Sequence, residues 1–226
     1  MSDVTDTPVI WGVFNGERGS QLPALHPKTP FPPREGSDGW IAIGWPAIGD
    51  MRIWKDDNRT YLRKFSLAYP DTSRVMSTRA NIPWNFAFEM KVGDWVICPC
   101  SSEGFLLVGK VSGDYEAGWD EWKEKFGDLH GDFVHFRPVR WLHVIKSSDP
   151  RHGKLNRIGQ QTVSRQHMTE KELLDIINGI APDHERKGSL FGAHRGSVIV
   201  PEGVDLTAPT FIEPTDAETG RELEHR

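Results

Sequence analysis

Apolar positions in this chain cluster in short β-type runs separated by Gly, Pro and Asn, with only a few stretches of helical period. PVIWGVF at 8–14 is β-prone and is bounded by Pro8 and by Asn15-Gly16, which predicts a first strand. Residues 15–38 hold five prolines and few apolar side chains, so they predict a long loop, a feature that is often functional inside a compact domain. GWIAIGWPAIGDM at 39–51 predicts a second strand ending at Gly44, then a turn or short helix opened by Pro46. The period then changes: Tyr61, Leu62, Phe65 and Tyr69 share one face behind the cap residue Asp57, which predicts a helix over 56–69.

A second short helix or turn is predicted over 82–90, and Met90-Lys91-Val92-Gly93-Asp94 leads into a strand at 95–99. A hairpin at 101–104 joins it to a strand at 105–112. Acidic and aromatic residues alternate over 116–132, which predicts a helical insertion with Trp119, Trp122 and Phe126 on one face. A long strand follows at 132–145, with a break or bulge at Pro138. TEKELLDIIN at 169–178 is the clearest helix: Thr169 and Glu172 make a capping box and Gly179 is the stop. From Pro182 onward the periodicity is lost. The pattern predicts an α+β, mostly β domain over 7–180, a disordered stretch at 1–6 and a flexible tail at 181–226.

Composition sharpens this picture in three respects. Nine tryptophans are an unusual number for 226 residues that are otherwise of ordinary globular composition. No apolar run approaches the roughly 18 residues of a membrane span, and MSDVTDTPVIWG lacks the pattern of a signal peptide, so the expected setting is cytoplasmic, away from the membrane. Cys98 and Cys100 are read as reduced, with side chains on opposite faces of a strand end. The formal charge of −5 resides in residues 201–226, where seven acidic residues face Arg221 and Arg226. The first 200 residues balance, and a basic face on them remains open.

Catalytic patterns are sparse. Asp183, Glu185 and Lys187 are the one short match to a metal-nuclease cluster, and no strand separates them, so they are read as chance. The histidines fall at no metal or triad spacing, and no GxxxxGK phosphate loop occurs. The expectation is a binding domain without a cofactor or metal, and no catalysis by this chain alone.

Five segments in order carry a resemblance: VIWGVF, IAIGWPAIGDM, WNFAFEMKVGDWVICP, LLVGKVSGDYE and HFRPVRWL, which together span about residues 7–145. Together they resemble the PUA-like superfamily, specifically its EVE and YTH type of modified-base reader. The strongest resemblance is to the domain ahead of Mrr-type nuclease domains in modification-dependent restriction proteins. The resemblance implies a curved five- or six-stranded barrel with flanking helices that takes one flipped base into an aromatic cage. It implies modified double-stranded DNA as partner, with modified RNA or a small nucleotide-like ligand as the second reading. PTDAETGRELEHR at the end resembles the opening of the nuclease domain, which implies a nuclease in the same or a partner chain.

Within those motifs Trp11, Trp45, Trp84, Asn85 and Phe86 are the candidates for holding the base. Rings supply stacking faces and the Asn amide can read a base edge. Core packing is the competing reading for Trp84, Phe86 and Phe88. Trp40 and Trp141 are assigned to the core, and Trp54, Trp119 and Trp122 to surface or insertion packing. Arg79, Lys91, Arg137, Lys146, Arg151, Lys154 and Arg157 are the candidates for contacting nucleic-acid backbone, the net basic run 146–165 foremost. Asp50 and Asp94, in Gly-Asp turns, are explained by turn stabilisation.

Overall fold

The computed structural model describes residues 7–15, 31–70, 76–118, 133–156 and 162–180. The expected disorder at 1–6, most of the Pro-rich loop, the Trp119, Trp122 and Phe126 insertion, Arg157 and the tail with Asp183, Glu185 and Lys187 lie outside the described residues.

Seven strands form one sheet: β1 (Ile10–Val13), β2 (Asp38–Ile43), β3 (Trp95–Cys100), β4 (Phe105–Val111), β5 (Glu116–Ala117), β6 (His135–Lys146) and β7 (Val163–Arg165). Their order is β2-β6-β4-β3-β1-β7, with β5 also paired to β6. Among the described strands only β1 and β3 pair in parallel. Strand β6 pairs with β2 through His135–Arg140 and with β4 through Val139–Lys146. One long strand thus serves two neighbours from its two ends, and the sheet curls into a half-barrel. The architecture is mixed α/β, with helices on both faces of this curled sheet.

The predicted irregularity in β6 is present, but not at Pro138, which pairs with Trp40 in the middle of the ladder. The register instead slips between Val108 and Gly109, so that Leu142 of β6 is the extra residue. Gly109 permits the close approach there, because a Cβ on it would lie 2.5 Å from the Arg140 carbonyl oxygen.

Alternation along the strands feeds two cores. Val96, Cys98, Leu107, Phe136, Val139 and Trp141 face the larger one, which α1 (Asn58–Ala68) and α2 (Met76–Trp84) cover with Tyr61, Phe65, Ala80 and Ile82. Ile10, Trp95, Ile97, Leu106 and Val108 face the smaller one, covered by α3 (Pro150–Leu155) and α4 (Glu170–Ile177). Burial on both faces explains why β3 reads as an unbroken apolar run. Cys98 and Cys100 both face the larger core, as a two-residue period dictates, and not opposite faces as the sequence reading had it; both thiols are free. The caps at Asp57 and Thr169 form as predicted. Trp141 is fully buried, Trp40 is half-buried against the larger core, and half-buried Trp54 donates its indole N–H to the Ile48 carbonyl.

A polar chain runs through the larger core. The Tyr115 hydroxyl accepts from Met51 N (3.2 Å) and lies 2.6 Å from His135 Nδ1, while His135 Nε2 is 3.4 Å from the Trp45 carbonyl oxygen. The Trp45 carbonyl can only accept, which assigns the hydrogen of a neutral imidazole to Nε2 and leaves Nδ1 to accept from the phenol. Burial, the largest cause, pulls the His135 pKa down to about 4. Below the ordinary histidine pKa of about 6.5 the unfolded chain binds a proton that the folded chain refuses, so stability falls as pH drops from about 6.5 toward 4. Urea unfolding should show a loss on the order of 2 kcal/mol between pH 7 and pH 5 from this group. His135→Gln should flatten that dependence; an unchanged slope in the variant would remove His135 as its source.

Candidate functional site

The Lys91–Asp94 turn requires a left-handed residue, supplied by Gly93 at φ 94°. It delivers Asp94, 5% exposed, to the start of β1. One carboxylate oxygen accepts from Val9 N at 2.9 Å, and the other from Trp11 Nε1 at 2.8 Å and Lys91 N at 2.9 Å. Trp95 N donates to the Val9 carbonyl oxygen at 2.8 Å beside them. Asp94 stabilises its turn, as the sequence indicates, and also fixes the first strand and the indole of Trp11.

Helix α2 approaches the same corner. Pro83 lacks an N–H and crowds the preceding turn, and beyond it the chain widens into a π turn over Asn85–Glu89, closed by Met90 N donating to the Asn85 carbonyl at 2.8 Å. Asn81, Asn85 and Glu89 follow one another at a spacing of four along this segment and face β1. Between them lies a cavity of about 730 Å³ with Trp11 and Asp94 at its base and Lys91, Lys110 and Arg165 around it. Lys110 lies 3.3 Å from the Glu170 carboxylate and 4.5 Å above the Trp95 ring. Arg165, the ladder partner of Trp11, is exposed and has no ion-pair partner among the described residues. The volume falls within the range of small-ligand sites, and the lining offers two side-chain amides, two carboxylates and three cations.

Of the five base-holding candidates, Trp11 and Asn85 line this cavity. Trp11 is only 3% exposed and its N–H is committed to Asp94. Trp84 instead packs in a ring layer, 4.6 Å from Phe88 and 5.3 Å from Tyr61 between centroids. Phe86 has no exposed surface, which assigns it to the core and not to a cage. Trp45, half-buried after β2, is not part of the lining. It is the one non-glycine at positive φ among the described residues, a strained conformation for a bulky side chain.

Among the backbone-contact candidates, Lys91 lines the cavity, while Arg79, Lys146 and Lys154 are exposed on α2, at the end of β6 and on α3. Arg137 is not a rim residue: it is 3% exposed and donates to the Phe86, Ala87 and Gly113 carbonyls. Arg151 clamps Asp149 and the Ile177 carbonyl, which ties α3 to the end of α4; hydrogen bonds from Arg151 hold the Asp149 carboxyl down at about 2. Asn81, Glu89, Lys110 and Arg165 escaped the sequence reading. The spacing of four from Asn81 to Glu89 was the available signal, masked by Pro83 and cut by a predicted short helix or turn over 82–90, whereas α2 spans Met76–Trp84.

Among the described residues no group of three or more His, Cys, Asp or Glu side chains could hold a metal ion, and no helix is long and apolar enough to cross a membrane. Asp94→Ala would leave three donors without their acceptor and should destabilise by about 3–5 kcal/mol in urea unfolding. Asp94→Asn keeps one acceptor oxygen and should cost about 1–2 kcal/mol. Equal stability of both variants and wild type would show that the turn does not need the carboxylate.

Comparison with known proteins returns one finding. No curated protein and no solved structure matches the chain. Residues 35–166 match the family model described as "Domain of unknown function (DUF8426)". The match runs from the approach to β2 through β7 and covers more than half of the chain, which therefore belongs to the DUF8426 family.

Proposed function

We propose that this chain reads a modified base in double-stranded DNA. It takes one flipped nucleotide into the cavity between β1 and the π turn, and it serves as the specificity domain of a modification-dependent restriction system. The single observation that carries the reading is the meeting of Trp11, Asn81 and Asn85 with three cations around one nucleotide-sized cavity. The curled sheet and the five ordered motifs support a PUA-like barrel.

The energetics suit the task. Extruding a base costs a few kcal/mol, to be recovered by stacking, edge hydrogen bonds and phosphate contacts. With Trp11 the only ring of the original candidates at the cavity, the two amides take the larger share of recognition, since Asn can donate to and accept from a base edge. A methyl group filling an apolar gap adds about 0.8 kcal/mol, roughly 4-fold in affinity. The balanced charge of residues 1–200 favours a free nucleotide as the second reading.

The test is a binding panel at fixed salt: one duplex carrying methylcytosine, hydroxymethylcytosine or methyladenine, the unmodified duplex, the matching RNA and nucleoside monophosphates. One modified duplex should exceed the unmodified one by about 4-fold or more. Asn85→Ala should lower affinity for the preferred duplex by about 2- to 13-fold, the value of one hydrogen bond, and leave weak salt-sensitive binding to unmodified DNA in place. Equal affinity for every duplex would overturn the DNA reading, and preference for RNA or mononucleotide would replace it with the second.

A further inference from the structure

A second cavity, of about 570 Å³, lies on the other side of the Lys91-Val92 turn, and both of these residues line both cavities. Its lining carries four cations, Arg52, Lys55, Lys91 and Arg137, against one carboxylate, Asp114. Phe88 and Tyr115 supply rings. Arg52 is engaged with Asp50 at 2.6 Å. Lys55 is exposed and makes no ion pair among the described residues.

Arg137 makes this cavity more than a solvated basic surface. It is 3% exposed, yet no carboxylate lies within ion-pairing distance among the described residues. Its Nε donates to the Phe86 carbonyl at 2.6 Å, one Nη to the Ala87 carbonyl at 2.9 Å and the other Nη to the Gly113 carbonyl at 3.3 Å. Capping the carbonyls of the π turn explains the bonds to Phe86 and Ala87, and the third ties the segment after β4 at Gly113 to the same group. None of these bonds brings a carboxylate into contact with the guanidinium, on which Asp114 and Asp94 act only from beyond ion-pairing distance, and two of its five N–H donors remain uncommitted. Burial lowers the Arg137 pKa to about 10, still far above neutrality, so the charge is present.

We propose that this second cavity is a phosphate site, in which an oxyanion takes the two uncommitted Arg137 donors under Lys55 and Lys91. The planar guanidinium fork suits a phosphate oxygen pair, and a buried, unpaired cation gains more from an anion than a solvated lysine does. The proposal concerns a cavity separate from the one assigned to a base and stands without that assignment. The same chemistry has two sources, a free phosphate or a phosphodiester of nucleic acid, and the experiment separates them.

The measurement is the Arg137 Nε–H resonance of the ¹⁵N-labelled full chain, titrated at constant ionic strength with inorganic phosphate, with an unmodified trinucleotide and with chloride. A saturable shift with phosphate or trinucleotide, absent with chloride, is expected, and the tighter of the two names the source. Lys55→Glu, an exposed change that spares the fold, should weaken this binding at least 5-fold, and Asn85→Ala should leave it unchanged. No saturable shift with either probe, or an equal shift with chloride, overturns the proposal. A flat duplex panel together with a persistent phosphate shift would remove the base reading and keep this site; the reverse pair of results would do the opposite.

Discussion

The carboxylate of Asp94 is the constraint on which the rest of this structure depends. Strand β1 has four residues and makes with β3 the one parallel pairing among the described strands, some eighty residues of chain separating the two. A short parallel ladder across so long a closure is weak by itself. Three hydrogen bonds from one buried carboxylate supply the missing definition, because they fix the entry to the strand at Val9, the ring at Trp11 and the turn at Lys91 together. Since residues 7–9 and Trp11 also line the cavity, the same bonds set the shape of the candidate site.

The second constraint is the π turn, which presents two different surfaces to two cavities. Its Asn85 and Glu89 side, continued by Asn81 of α2, faces β1, while Ala87 and Phe88 face the cation-lined cavity. The carbonyls that such a turn leaves without helical partners would be costly in a core, and Arg137 reaches under them from β6. A buried guanidinium is itself expensive unless its charge is answered. The geometry of one cavity is thus maintained by a group that lines the other.

The strands, α1 and the capped helix α4 were legible because each carries a local signal: β-prone runs bounded by Gly and Pro, or a four-residue period behind a cap. Strands β5 and β7 and helix α3 were not, since two or three residues of strand and six of helix have no period to read, and they are ordered by neighbours distant in sequence. The same distinction divides the site. Trp11, Asn85 and Lys91 were visible as residues in recognisable motifs. Lys110 and Arg165 reach the cavity only through ladder register, opposite Trp95 and Trp11, and register is not written in either strand alone. Arg137 misled for a related reason: on a strand that looks half exposed it reads as a rim charge, whereas the curl of β6 turns it beneath the π turn.

The tryptophans illustrate how one residue type divides between structure and site. Trp141 fills the core, Trp95 donates to Glu170 across the smaller face, Trp54 donates to the Ile48 carbonyl, and Trp84 packs on Tyr61 and Phe88. An indole is both a large apolar body and a single donor, and through that donor Trp95 and Trp54 join elements that a purely apolar ring would only touch. Trp11 follows the same rule, with its N–H held by Asp94, and can therefore offer a base a surface fixed in orientation but small in extent. A pocket built in that way stacks weakly and discriminates by where its amides and charges stand. On the proposed reading, selectivity would depend on the edge of the base and on the phosphate beside it more than on the ring faces.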